Sequence, residues 1–183
     1  MTQVLAECYR FRNRPREAAA HYERALAFSA RLPGGVDVSV LPSLSGLAIL
    51  AEREGSPGSA ARLHARALDL AQGRLTRRDP ARAVFVARAA AFYARSGDPG
   101  RAESLYAEAS AIVDGCRTAC PLQRAAVLEG LAAFYVSQGR ARDASRVRGA
   151  LVAQGESAAQ GRAALTIPPG WEASQAVPLV FGR

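Results

Sequence analysis

The stretch Ala89-Ala90-Ala91-Phe92-Tyr93-Ala94-Arg95-Ser96-Gly97-Asp98-Pro99-Gly100-Arg101-Ala102 decides the fold. It reads as the end of one helix, a stop and the start of another. Gly97 supplies the left-handed conformation that terminates a helix, Asp98 offers a carboxylate to the free amides of the next one, and Pro99 suits the first helical position. Forty-two residues upstream the punctuation returns as Gly55-Ser56-Pro57, with Ser56 as the expected cap, and a further step back finds Asn13 and Pro15. Downstream the column holds Gly139, with Ala141 in the proline place.

The same 42-residue step aligns the helices themselves. Ala6, Ala48, Ala90 and Ala132 share a column, preceded by Leu5, Leu47, Ala89 and Leu131 and followed three residues on by Tyr9, Ala51, Tyr93 and Tyr135. In the second helix of each unit the columns are Ala18, Ala60, Ala102 and Ala144, then Tyr22, His64, Tyr106 and Arg148, then Ala25, Ala67, Ala109 and Leu151. Small residues recur where two helices must approach closely, and large apolar ones recur at three- and four-residue intervals. The pattern predicts eight helices, over about 2–12, 16–32, 36–54, 58–71, 80–96 (capped by Asp79), 100–114, 121–138 and 142–160.

These motifs resemble the tetratricopeptide repeat: Leu-Ala, an aromatic three residues later, then Gly, Ala, Tyr and Ala. The usual period of that family is 34 residues, and the longer unit here resembles the kinesin-light-chain subclass. The resemblance implies an all-α fold, a right-handed superhelical solenoid of four antiparallel helix-turn-helix repeats. It spans 1–162, in units of about 1–35, 36–77, 78–119 and 120–162, followed by a non-helical tail, 163–183. It also implies that first helices line a concave groove for a protein or peptide partner. Carried over by column, the groove rows contain Gln3, Ser45, Ala87 and Glu129, then Glu7, Ile49, Ala91 and Ala133, with Arg53 and Arg95 at the edge. No Lys or Asn stands where some members clamp a C-terminal carboxylate, so the floor reads as small and apolar with mixed charge beside it.

Composition narrows the alternatives. The chain has 183 residues, 49% hydrophobic and 22% charged, with a formal net charge of +8. Every basic residue other than His is arginine, which looks like the codon bias of a high-GC bacterial genome. The charge and the cluster Arg74, Arg77, Arg78 and Arg82 carry a rival reading, a nucleic-acid or anionic-surface binder. A non-catalytic domain of a larger enzyme is a further alternative. Catalysis by this chain is not expected: there are only two histidines, His21 and His64, both in second helices, and no Gly-rich phosphate loop. No cofactor or metal is implied. Cys8, Cys116 and Cys120 read as free thiols or, for the last two, as a local disulfide in an oxidising compartment.

The ends depart from the middle. The first expected helix, 2–12, lacks about a turn relative to its siblings, leaving an apolar flank that predicts either a longer array or self-association through the N-terminal face. The tail carries Ile167-Pro168-Pro169-Gly170 and Trp171. It either covers the last helix, stays unstructured or docks in a groove. With no secretory signal at the start and no bilayer-length apolar run, the expected compartment is the cytoplasm.

Overall fold

The computed structural model describes residues 2–31, 37–116 and 120–152. Within them lie eight α-helices: α1 (Thr2–Phe11), α2 (Pro15–Ala30), α3 (Leu41–Arg53), α4 (Pro57–Arg74), α5 (Pro80–Arg95), α6 (Pro99–Asp114), α7 (Pro121–Ser137) and α8 (Ala141–Val152). The described residues contain no strand. The fold is an α-solenoid of helical hairpins.

The turn column does what its residues allow. Asn13, Gly55, Gly97 and Gly139 all have positive φ, between 55° and 85°, ending the first helix of each unit in the left-handed region that glycine and asparagine tolerate. Proline opens α2, α4, α5, α6 and α7, where its missing N–H costs nothing. Asp79 caps α5 by accepting from the Ala81 amide, and Asp98 caps α6 by accepting from Arg101. Ser56 makes no such bond; Pro57 removes one needy amide, and the Ser56 carbonyl instead accepts from Ser59 and Ala60. The third predicted helix also starts later than expected. A 3-10 turn, Val38–Val40, capped by Asp37, precedes α3 at Leu41. The predicted extension of the last helix beyond Val152 and the tail 163–183 lie outside the described residues.

The alanine columns form the seams. Ala6, Ala48, Ala90, Ala18, Ala60 and Ala102 are each fully buried, and Ala132 and Ala144 nearly so. A larger side chain at any of them would push apart the two helices of a hairpin. Each second helix then packs on the first helix of the next unit: α2 on α3, α4 on α5 and α6 on α7. First helices touch their like, most extensively α5 with α7. Second helices do not pack extensively on one another, so α1, α3, α5 and α7 form the inner row.

One interlock is read directly from the Tyr22 column. The Tyr22 ring lies against the Gly46 backbone, and Tyr106 lies against Gly130, where an added Cβ would stand 3.1 Å from the hydroxyl. A large residue on one unit thus fits a glycine on the next, because only glycine lets the ring approach the helix backbone. In the fourth unit this column holds Arg148, which is exposed.

Cys116 and Cys120 are joined by a disulfide, with Cα atoms 5.7 Å apart, across the α6–α7 connection. The thiol alternative is therefore corrected for this pair. The Cys120 amide donates to the Cys116 carbonyl, which keeps the two cysteines close. Cys8 is free.

Candidate partner-binding groove

A helix turns about 100° per residue, so neighbouring columns can face different surroundings. On the inner row Ala48, Ala90 and Ala132 point into the hairpin seams. One residue on, Ile49 and Ala91 are half-buried and Ala133 is exposed. Arg53 and Arg95 are exposed at the edge, and Glu7 is half-buried at the N-terminal end of the same row. The other expected row is less uniform. Gln3 and Glu129 keep part of their surface, but Ser45 and Ala87 are 1% and 8% exposed. In the middle units this row is covered by packing. Gln3 donates from its amide nitrogen to the Ser39 carbonyl, tying the first unit to the segment before α3.

Charge on this face is organised in two networks. In the first unit Tyr22 donates to Glu7 Oε1, while Arg10 Nε donates to Glu7 Oε2 at 3.0 Å. Burial and the bond to Glu7 hold the Tyr22 hydroxyl well above its ordinary pKa. Burial opposes the Arg10 charge, but the Glu7 hydrogen bond and charge outweigh it and raise that pKa. In the second unit His64 Nε2 lies 3.0 Å from Glu52 Oε1, and Arg95 from the third unit donates to Glu52 Oε2. Burial pushes the Glu52 carboxyl upward, yet hydrogen bonds from His64 and Arg95 together with their charge bring it below the usual carboxylate range. His64 is 2% exposed and stacks on Phe92 at 4.9 Å. His21 is half-buried and stacks on Tyr9. Both histidines are thus held as packing residues of second helices.

Arg88 is the residue on this face that the column reading passed over. It stands in the column Val4, Gly46, Arg88 and Gly130, where an arginine among small and apolar residues was the available signal. Burial lowers its pKa, while Glu7 and Tyr22 oppose that shift and Arg10 reinforces it. Charged groups of the first unit therefore act on a guanidinium of the third across the inner row. Arg88 lies over the Phe85 ring, 5.7 Å from its centroid, and makes no ion pair with any described carboxylate. A guanidinium partly removed from water and held by no described ion pair favours an incoming acceptor.

The chain is similar to known helical-repeat proteins. A tetratricopeptide-repeat family model matches residues 1–73. Among solved structures, BtubC (BKLC) from P. vanneervenii is 24% identical with a TM-score of 0.65, over 80% of this chain and 59% of that one. This chain thus spans under two thirds of that protein's length. No curated protein matches it.

Proposed function

We propose that this chain is a tetratricopeptide-repeat protein and works as a non-catalytic scaffold whose inner face takes a segment of a partner protein. Tetratricopeptide repeats are generally protein–protein interaction modules, and among the described residues no helix is long and apolar enough to cross a membrane. The observation that carries the finer reading is the open row Ile49, Ala91 and Ala133 beside the buried row Ala48, Ala90 and Ala132. Gln3, Glu7, Arg53, Arg95 and Glu129 edge that row, and Arg88 adds a positive charge that makes no ion pair among the described residues. A mainly apolar segment with an acidic group fits this pattern better than a polyanion would, because Glu7 and Glu52 also face it.

The 42-residue unit and the likeness to BtubC support placing the chain in a kinesin-light-chain-like subclass and in a larger assembly. Exposed Val4, Leu5 and Phe11 support self-association through the N-terminal face. A cytoplasmic location goes with the same proposal, although the Cys116–Cys120 disulfide is the kind of bond that persists in oxidising compartments.

The test is partner capture by crosslinking with the native chain, then with Ala91→Arg and Arg88→Glu. A partner that the native chain retains and both variants lose, at unchanged thermal midpoints, supports the groove. Retention of every partner by Ala91→Arg overturns it.

A further inference from the structure

The α4–α5 turn holds two arginines at a fixed place. α4 closes when the Leu75 amide donates to Ala71, and the turn closes when the Asp79 amide donates to Thr76 at 3.1 Å. Asp79 in turn caps α5 through the Ala81 amide at 2.8 Å. Leu75 packs against the apolar cluster around Val40, Leu41 and Leu44. Arg77 and Arg78 are therefore the two central residues of a short turn anchored at both ends. Both are exposed, and neither pairs with a described carboxylate.

The turn faces the C-terminal half of α6 across a cavity of about 920 Å³. Gln72 from α4, Arg82 from α5, and Glu108 and Ile112 from α6 line it with the two turn arginines. Arg82 Nη2 lies 2.5 Å from Glu108 Oε1. Glu108 thus offsets one of three guanidinium charges, and two remain. Neither α4 nor α6 fills this space, since α4 packs mainly on α3 and α6 mainly on α5.

We infer that this cavity is a binding site for a phosphate monoester, with Arg77 and Arg78 holding the phosphate dianion. Two guanidinium forks match the charge and the tetrahedral oxygens of one phosphate group. The opposite wall offers acceptor oxygens, from the Arg82-paired Glu108 and from the carbonyl end of α6. It suits the organic part of a monoester, bearing a hydroxyl or an ammonium group, and repels a second phosphate. A nucleic acid fits less well, because among the described residues no aromatic ring lines the cavity to stack a base and the two turn arginines sit together instead of along a groove. The site is separate from the inner-row groove and independent of its partner.

Calorimetric titration of the full chain with O-phosphoserine, a phosphoserine peptide, inorganic phosphate and a short single-stranded DNA decides the matter. O-phosphoserine is expected to bind once per chain. Replacing both turn arginines, Arg77→Ala with Arg78→Ala, is expected to weaken binding about tenfold or more at an unchanged thermal midpoint. Ala91→Arg should leave it unaltered. Glu108→Gln should admit pyrophosphate, which the native chain rejects. Tighter binding of the peptide than of the amino acid assigns the phosphate to a modified protein, and equal binding assigns it to a small metabolite; both keep the site. Absence of binding at about 10 mM ligand, binding indifferent to the arginine pair, or DNA binding that outcompetes O-phosphoserine overturns the inference.

Discussion

The first and third units carry the same columns and meet different surroundings. Leu5 is 44% exposed, whereas Ala89 in its column is 1% exposed; Phe28 is 69% exposed and Ile112 only 8%. The third unit has a neighbour on each side, and among the described residues the first has one only. A repeat cannot bury its apolar face alone, so the same pattern becomes core in one place and surface in another. What is common to both units is the seam within the hairpin, where Ala6 and Ala90 are equally buried.

The largest effect tests that common seam. Ala90→Arg should place an unpaired charge in a closed contact, at a cost of about 3 to 5 kcal/mol, while Ala91→Arg should change stability by about 0.5 kcal/mol or less. Thermal melts of the two variants measure both, and equal losses would show that the register of α5 is misread. The next effect tests the same contrast along the Leu5 column, between the first unit and the fourth. Leu131→Ala, at 8% exposure, should cost about 2 to 5 kcal/mol. Leu5→Ala should cost under about 1 kcal/mol, because much of its surface already meets water. Denaturant titration would break the comparison if Leu5→Ala proved as costly.

A smaller effect sharpens it at the unit boundaries. Gly46→Ala should cost about 1 to 3 kcal/mol, since its Cβ would overlap the Tyr22 ring, which the Glu7 bond holds in place. At Gly130 the nearest atom is 3.1 Å away, and Ala gains about 1 kcal/mol of helix propensity. Gly130→Ala should therefore lie near neutral in the same melts.

The columns made the hairpins legible because helix termination is local chemistry. Asn13, Gly55, Gly97 and Gly139 needed only their own backbone preference to be read as stops. The seams followed from spacing, since Ala48 and Ala90 sit at matching heights on successive first helices. Arg88 was not legible in the same way: its meaning depends on how near the charges of the first unit lie to the third, which a column does not state. The burial of Ser45 and Ala87 has the same origin, because a column fixes a helix face but not the depth of the neighbouring unit over it. The Cys116–Cys120 pair depended on the approach of two Cα atoms to 5.7 Å, which their spacing left open.

The smallest expected effect concerns how units are tied by charge. In the first unit Glu7 bonds to Arg10 and Tyr22, both within that unit, whereas Glu52 joins His64 of the second unit to Arg95 of the third. The Glu52 carboxyl is held below its ordinary 4.5, because the His64 and Arg95 bonds outweigh burial. A carboxyl with a depressed folded pKa releases its proton more readily in the folded state. Its contribution to stability is therefore fully present above the unfolded value and is lost as pH falls through the folded one. The difference in thermal midpoint between the native chain and Glu52→Gln should be constant near neutral pH and should shrink below about pH 4.5. Arg95 is exposed, so added salt should also narrow the gap. A gap unchanged between neutral and acidic pH would mean that Glu52 contributes by packing alone, and that the junction between the second and third units is held by the Ala, Phe92 and His64 contacts without an ionic link.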